Sequence, residues 1–281
     1  MGKDPVCSGD NNEGTEMSIE VRTVTAGNVS MKYFFFGRGK RNFVMLPGLS
    51  IIPVSVTAQA VAGAYSVFEE DYTVWVFDRR EDVPRGYTIT DMAHETAECI
   101  RALGITDAYV FGASQGGVMA QYMAEHEQDL VKCAAIASSP SRSSAIGEDS
   151  GVAEWLRLAA RGDAEALCTS FAERLYTGEE LDRVRDAFMT LARMVTDKDL
   201  ERFVRLGKSL ADFNTYDDLD RVKCPLYVVA GGNDRVLSAD AVTEAAYKTG
   251  CELYVFKDCG HAVYDEAPDF KDRLKAFFDR Y

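Results

Sequence analysis

The sequence predicts an α/β protein in which a mainly parallel eight-stranded sheet carries helices on both faces, with a separate helical insertion. Short apolar segments with strand character alternate with amphipathic helical segments along most of the chain. Between about residues 141 and 221 no segment has a convincing strand pattern. The alternation resumes after Cys224 and Pro225, so the helical block is inserted between the sixth and seventh strands.

The first half of the chain contains six of the predicted strands. Residues 18–24 and 31–36 are predicted to pair as an antiparallel hairpin, because Ala26-Gly27-Asn28 between them is a turn signal. The next four strands are predicted at residues 42–46, 72–77, 108–111 and 131–137. Helices are predicted at residues 54–68, from Thr90 and Asp91 to about Leu103, and from Ser114 to about His126.

The second half contains the insertion and the last two strands. Helices are predicted at residues 153–161, 164–176, 179–195 and 199–210, followed by a strand at 226–230, a helix at 238–248, a strand at 252–256 and a helix at 268–278. The predicted organisation is therefore a flexible tail over residues 1–17, a core formed by residues 18–140 and 222–281, and a helical insertion over residues 141–221.

Composition restricts the partners of this chain. With 281 residues, of which 47% are hydrophobic, the chain can form one large core. The net charge of −14 disfavours nucleic acid and anionic lipid, and favours a small neutral or apolar substrate. No apolar run approaches the ~20 residues that span a membrane, and residues 1–17 lack a secretory core. We therefore expect a cytoplasmic protein that binds neither membrane nor nucleic acid; the oligomeric state is not predicted.

The seven cysteines are scattered along the chain without the spacing of a zinc site. Their odd number is typical of reduced thiols. We therefore expect neither a disulfide framework nor a metal or other cofactor.

Residues 108–119 contain the most informative motif of the sequence. An apolar run leads into Gly112-Ala113-Ser114-Gln115-Gly116, and a helical pattern starts at once. This G-x-S-x-G spacing is typical of a tight strand-to-helix turn that exposes one serine hydroxyl. Small residues also cluster in ordinary turns, so the assignment of Ser114 as a nucleophile depends on the rest of the chain.

A nucleophilic serine needs a neighbouring base, and the chain has only three histidines. His126 lies at the far end of the helix that follows Ser114, well over ~10 Å away at ~1.5 Å per residue. His94 lies within the helix after the fourth strand. His261 follows the strand at residues 252–256, at the sheet edge where Ser114 is expected. We therefore predict His261 as the base.

The carboxylate that orients the base should also follow a strand. The segment Gly231-Gly232-Asn233-Asp234 comes directly after the strand at residues 226–230. Asp78 also follows a strand, but Arg79 and Arg80 beside it favour a structural ion pair. Asp234 is therefore the predicted acid.

The developing oxyanion requires two hydrogen-bond donors. The backbone N–H of Gln115 lies at the start of the helix after Ser114. The loop after the third strand contains Pro47 and Gly48, and Gly48 permits close approach of the chain. We therefore predict the backbone N–H groups of Leu49 and Gln115 as the oxyanion hole.

Together these motifs resemble those of α/β-hydrolase-fold proteins over roughly residues 20–281. The matching segments are Leu46-Pro47-Gly48, Phe77-Asp78-Arg79-Arg80, the serine motif, Gly231-Gly232-Asn233-Asp234 and Gly260-His261, in the family order of serine, aspartate and histidine. Many relatives carry His-Gly where this chain has Pro47-Gly48, which leaves the subfamily open. The resemblance implies that residues 141–221 form a cap over Ser114. It also argues against epoxide opening and dehalogenation, because the relatives that catalyse those reactions have aspartate at the elbow.

The sequence therefore predicts a serine hydrolase, most simply a carboxylesterase for a small or medium, largely apolar ester. Carbon–carbon bond hydrolysis, thioester hydrolysis or acyl transfer by the same triad stays open, as does a non-catalytic ligand-binding protein on this fold. Large apolar residues of the insertion are candidates for lining an acyl pocket, although their spacing does not single any of them out: Trp155, Leu158, Phe171, Leu175, Phe188, Met189, Met194, Phe203 and Phe213.

Overall fold

The computed structural model describes residues 18–281, so the tail predicted for residues 1–17 lies outside the described residues. Eight strands form one sheet. In chain order they are β1 (Val21–Ala26), β2 (Val29–Phe36), β3 (Arg41–Leu46), β4 (Tyr72–Phe77), β5 (Ala108–Ala113), β6 (Val131–Ala137), β7 (Leu226–Gly231) and β8 (Glu252–Phe256).

The spatial order of the strands is β1-β2-β4-β3-β5-β6-β7-β8. β1 pairs antiparallel with β2, β2 pairs antiparallel with β4, and all remaining pairs are parallel. The predicted fold class, a mainly parallel eight-stranded sheet with an antiparallel edge, is confirmed. β5 is central, and the carboxyl ends of β5, β7 and β8 open onto the same edge of the sheet.

Ten helices accompany the sheet within residues 18–281. They are α1 (Ala58–Ala64), α2 (Ile89–Ala102), α3 (Gln115–His126), α4 (Gly151–Ala160), α5 (Ala164–Leu175), α6 (Gly178–Ala192), α7 (Asp197–Lys208), α8 (Ala239–Thr249), α9 (Val263–Glu266) and α10 (Phe270–Phe278). None of these helices is long and apolar enough to cross a membrane.

Helices pack on both faces of the sheet because successive strand residues point to opposite sides. In β5, Val110 belongs to the core beneath α2, α3 and α8, whereas Tyr109 and Phe111 belong to an aromatic-rich core beneath α1 and α10. All six residues of β5 are buried. The strand that leads to Ser114 is therefore fixed from both faces and from both neighbouring strands.

The helix predicted over residues 54–68 is broken into three pieces. A 3-10 turn at Val54–Thr57 precedes α1, and another at Ser66–Phe68 follows it. The start of α2 also differs from the prediction, because Thr88 and not Thr90 is the N-cap. Its hydroxyl accepts from the backbone N–H of Asp91, whose carboxylate accepts from the Thr88 N–H to form a capping box.

Between β6 and β7 the chain forms α4, α5, α6 and α7 together with short 3-10 turns. α7 starts with a second capping box, formed by Thr196 and Asp199. The apolar faces of α4, α5 and α7 meet at Trp155, Phe171 and Phe203, all of which are buried. α6 has no buried residue along its length. This block packs against the loop after β3 and against the start of α3.

Candidate active site

Ser114 lies in the turn between β5 and α3, with φ 51° and ψ −121°. A non-glycine residue in such a conformation costs about 1–3 kcal/mol and has to be held by its surroundings. A Cβ at Gly112 would lie 2.2 Å from the carbonyl oxygen of Gly116, and a Cβ at Gly116 would lie 1.9 Å from that of Leu46. The two glycines of the motif therefore permit the close approach that the turn requires.

The end of β6 holds the backbone of this turn. The N–H of Ser114 donates to the carbonyl oxygen of Ala137 at 2.9 Å, and the hydroxyl of Ser139 donates to the carbonyl oxygen of Ser114 at 2.8 Å. The side chain of Ser114 makes no capping hydrogen bond to α3. Its hydroxyl is therefore available to the cavity that Ser114 lines.

His261 and Asp234 form a buried pair beyond the ends of β8 and β7. Nδ1 of His261 lies 2.8 Å from Oδ2 of Asp234, and both side chains are 1% exposed. Oδ1 of Asp234 accepts from the backbone N–H groups of Val236 at 2.7 Å and Leu237 at 2.9 Å. A carboxylate held in this way keeps the imidazole proton on Nδ1 and leaves Nε2 free to accept a proton.

Glu266 fixes the loop that carries His261, a role that the sequence analysis missed. Its carboxylate accepts from the backbone N–H groups of Gly260 and Thr177. The N–H of Ala262 in turn donates to the carbonyl oxygen of Leu175 at 2.9 Å. These bonds join the histidine loop to the end of α5. The only sequence signal for this role was an acidic residue in the short helix after the histidine.

The loop after β3 passes beside the serine. A Cβ at Gly48 would lie 3.3 Å from the Cβ of Ser114, so the backbone of this loop touches the elbow. Within residues 18–281 the backbone N–H groups of Leu49 and Gln115 donate no hydrogen bond. The N–H of Gln115 is the first of α3 and has no partner in its own helix. The two N–H groups predicted as oxyanion donors therefore have no acceptor among the described residues, and both belong to segments beside Ser114.

Asp78 does not form the ion pair predicted with its neighbouring arginines. Its carboxylate instead accepts from the backbone N–H groups of Val54 at 2.7 Å and Ser55 at 3.2 Å. The free N–H groups at the start of a helical turn are strong partners for a buried carboxylate, which explains the difference. Asp78 thereby fixes the far end of the loop after β3.

Arg79 fixes the near end of the same loop. Nη2 of Arg79 donates to the carbonyl oxygen of Pro47 at 2.5 Å. Burial lowers the pKa of Arg79 to about 10, and the positive charge of Arg202 adds to the effect. Two consecutive residues after β4 therefore position the loop that carries Leu49.

The side chain of Gln115 connects the elbow to the helical insertion, which was not anticipated. Nε2 of Gln115 donates to the carbonyl oxygen of Leu206 at 2.9 Å and to the hydroxyl of Ser209 at 3.2 Å. Gly207 lies between these partners, and a Cβ there would lie 2.5 Å from the side chain of Leu156. The end of α7 is therefore hydrogen-bonded to the first residue after Ser114.

Ser114 and His261 line one cavity of about 760 Å³. Most of its wall is apolar and comes from the loop after β3, from α1 and from the helical insertion. Of the nine insertion residues considered for an acyl pocket, Trp155, Phe171, Leu175, Phe188 and Met194 line it, whereas Leu158, Met189, Phe203 and Phe213 do not. The sequence-predicted Leu49 also lines the cavity.

The two remaining histidines lie outside the cavity. Nδ1 of His94 lies 3.0 Å from a carboxylate oxygen of Glu127. A cluster of possible metal ligands lies at the end of α3 that is remote from Ser114. Its ligand atoms, from Glu125, His126 and Asp218, all lie within 4.8 Å of one another. Burial raises the pKa of Glu125 to about 9, and the charge of Asp218 adds to this shift. This group could hold a cation, but it has no contact with the cavity.

The sheet order, the serine elbow and the buried His–Asp pair together define an α/β-hydrolase. The model of the alpha/beta hydrolase family matches residues 43–270, so the chain belongs to this family.

Individual relatives are distant. The chain is 23% identical over 219 residues to 3-oxoadipate enol-lactonase 2 of Acinetobacter baylyi, covering 76% of this chain and 79% of the relative. A similar solved structure is MGS-M2, an α/β-hydrolase enzyme from a Medee basin deep-sea metagenome library, with a TM-score of 0.81, 19% identity and coverage of 92% and 98%. The enol-lactonase of Burkholderia xenovorans LB400 follows with a TM-score of 0.79, 19% identity and coverage of 92% and 100%.

Proposed function

We propose that this protein is a serine hydrolase that cleaves a small or medium, largely apolar ester through an acyl-enzyme on Ser114. The observation that carries the proposal is the strained Ser114 elbow, which shares one cavity with a histidine held by a buried aspartate. Storing strain at a serine and burying a hydrogen-bonded carboxylate both cost stability, and such costs are typical of catalytic sites.

The proposed reaction has two halves. Oγ of Ser114 attacks the ester carbonyl while Nε2 of His261 takes its proton, and Asp234 stabilises the imidazolium that forms. The N–H groups of Leu49 and Gln115 stabilise the oxyanion. His261 then gives its proton to the departing alcohol, which leaves the acyl group on Ser114. Water attacks this acyl-enzyme by the same route and releases the acid.

Three features support an ester of modest size. The cavity of about 760 Å³ admits a small molecule but not a polymer, and most of its wall is apolar. Two of the relatives are named as enol-lactonases, and a lactone is a cyclic ester. The net charge of −14 also disfavours polyanionic substrates. The helical insertion acts as the cap in this proposal, because α4, α5 and α6 supply part of the wall.

Covalent labelling with a fluorophosphonate tests the nucleophile. We expect the wild type to be labelled once and Ser114→Ala to remain unlabelled. Ser50→Ala is the matched control, because Ser50 lines the same cavity and should leave labelling intact. A wild type that does not label, or equal labelling of Ser114→Ala, contradicts the proposal.

A substrate screen then tests the bond that is cleaved. p-Nitrophenyl esters from acetate to decanoate, lactones and matched thioesters are compared in the wild type and in Ser114→Ala. We expect ester turnover to exceed thioester turnover and to fall by at least about 10³-fold in Ser114→Ala. Absence of turnover on every ester, with labelling intact, refutes ester hydrolysis and retains the nucleophile.

A further inference from the structure

One part of the cavity wall is polar, in contrast to the rest. Asp265 and three tyrosines, Tyr65, Tyr176 and Tyr264, all line it. They come from three elements: the residue after α1, the residue after α5, and the short helix α9 that follows His261. Because α9 begins two residues after His261, this polar group lies on the wall next to the proposed base.

Asp265 is a carboxylate that lines the cavity and has few hydrogen-bond partners in the protein. The hydroxyl of Tyr176 donates to Oδ2 at 3.1 Å. No other hydrogen bond and no ion pair to this carboxylate occurs among residues 18–281, and the residue is exposed within the cavity wall. Its second oxygen therefore has free capacity to bind a ligand group.

The pKa shifts of Asp265 and of the neighbouring tyrosines are consistent with a polar site that can bind a ligand group. Asp265 is accessible to solvent through the cavity, but the surrounding wall reduces the hydration of its carboxylate. This desolvation raises the pKa of Asp265, and the positive charge of Lys271 only partly offsets the shift. The phenol pKa values of Tyr65 and Tyr264 are raised by burial and by the charge of Asp265, so both keep their protons. The wall therefore offers neutral O–H groups and a carboxyl in one small region.

The adjacent residue shows that Asp265 is not simply part of the loop's support. Glu266 accepts from two backbone N–H groups and holds the histidine loop. The carboxylate of Asp265, one residue earlier on α9, accepts from no backbone N–H group among the described residues, and the residue lines the cavity. A polar side chain in a mostly apolar cavity lowers affinity for apolar ligands unless the ligand supplies a partner.

We propose that Asp265, with the hydroxyls of Tyr176 and Tyr264, forms a subsite for a hydroxyl group of the substrate. A hydroxyl both donates to the carboxyl oxygen and accepts from a phenol, so it satisfies both kinds of group. A substrate carboxylate would meet the charge of Asp265, and an ammonium would lie close to Lys271. This inference rests on the proposed ester hydrolysis and refines its substrate to hydroxylated esters.

Two matched ester pairs test the subsite. Methyl hexanoate is compared with methyl 6-hydroxyhexanoate, and butyl acetate with 4-hydroxybutyl acetate, so that the hydroxyl lies on the acyl side or on the alcohol side. We expect kcat/KM to favour the hydroxylated member of one pair by about tenfold in the wild type. The pair that shows the preference identifies the side of the ester that the subsite binds.

Variants separate the subsite from a general change in the cavity. Asp265→Leu should abolish the preference, Tyr176→Phe should reduce it, and Asp265→Asn should retain part of it because the amide still accepts and donates. Asp186→Leu is the matched control, since Asp186 is a second acid in the same wall and should leave the preference ratio unchanged. No preference in either pair, or the same ratio in Asp265→Leu and the wild type, overturns the inference.

Calorimetric titration of the Ser114→Ala protein with the same esters tests the subsite independently of turnover. We expect about tenfold tighter binding of the hydroxylated ester, lost when Asp265→Leu is added. If the wild type cleaves no ester but this binding difference exists, the proposed function fails and the subsite stands. If esters are cleaved and no binding difference exists, the subsite alone is refuted.

Discussion

The contact between Gly116 and the loop after β3 controls how closely the serine elbow and this loop, which carries the proposed oxyanion donor Leu49, can approach. In Gly116→Ala, the new Cβ would lie 1.9 Å from the carbonyl oxygen of Leu46 and 2.5 Å from that of Pro47. Real Cβ contacts essentially never fall below 3.0 Å, so one backbone has to retreat by about 1 Å. Both contacts are to backbone atoms, and no side-chain rotation can relieve them.

This retreat has two measurable costs. Overpacking of a tight contact lowers the free energy of unfolding by about 1–3 kcal/mol. Because Leu49 lies just beyond Pro47 in the same loop, its N–H moves away from the N–H of Gln115 as the loop retreats. A displacement of about 1 Å at a catalytic group costs on the order of 10²-fold in rate. We therefore expect Gly116→Ala to fold, with kcat reduced about a hundredfold.

Urea unfolding and steady-state ester hydrolysis measure these two quantities in the same preparation. Gly63→Ala is the matched control, because Gly63 lies in helix α1 and a Cβ there meets no atom within 4 Å. It should gain about 0.5–1 kcal/mol and keep its activity. Wild-type kcat in Gly116→Ala would show that the spacing of these two loops does not govern the reaction.

Three further predictions follow from single side chains. Asp234→Asn keeps an oxygen for its backbone partners but presents an amide to His261, so kcat should fall roughly 10³–10⁴-fold while urea unfolding changes little. Burial raises the pKa of Glu125 to about 9, so the folded state keeps a proton that the unfolded state has released, and stability falls as pH rises from about 5 to 9. In urea unfolding across this range, the stability of Glu125→Gln relative to the wild type should therefore increase with pH, and a constant difference would contradict the buried protonated carboxyl. Gln115→Met removes two hydrogen bonds to the end of α7, so amide exchange around Leu206 should accelerate and stability should fall by about 1–2 kcal/mol, with fluorophosphonate labelling retained.

The fold class and the members of the candidate triad could be predicted because both depend on where strands end. Short apolar runs mark β5, β7 and β8, and the carboxyl ends of parallel strands meet at one edge of the sheet. Ser114 follows β5 directly, and Asp234 and His261 lie in the loops that follow β7 and β8. Their convergence therefore needs no knowledge of side-chain packing.

Interactions between residues that are far apart along the chain could not be predicted from the sequence. The segment predicted as a helix from residue 54 starts with a 3-10 turn, and the first backbone N–H group of that turn, from Val54, donates to the carboxylate of Asp78, 24 residues away. The side chain of Gln115 reaches a partner 91 residues along the chain. Periodicity reports that one side of a helix is apolar, but not what covers that side.

Two phenylalanines of the helical insertion, Phe171 and Phe203, show why the residues that line the cavity could not be predicted. The rings of Phe171 in α5 and Phe203 in α7 pack edge to face, with their centroids 6.0 Å apart. Of the two, only Phe171 lines the cavity. Both are apolar, both are buried and both lie at helical spacing from other apolar residues. The difference between a core residue and a pocket residue is therefore set by the packing of α4, α5 and α7, and not by residue type.

Helix α3, which follows Ser114, is far more buried than helix α6, which lines the cavity. Ten of the twelve residues of α3 are buried, and its first residue is bonded to the end of α7. α6 has no buried residue, although Asp186, Phe188 and Leu191 from it line the cavity. Regions with few buried contacts move at the lowest free-energy cost. Substitutions of the large apolar residues Phe188 and Leu191 can therefore reshape the cavity, and so alter the size of ester that fits, without moving the strained serine on which the proposed chemistry depends.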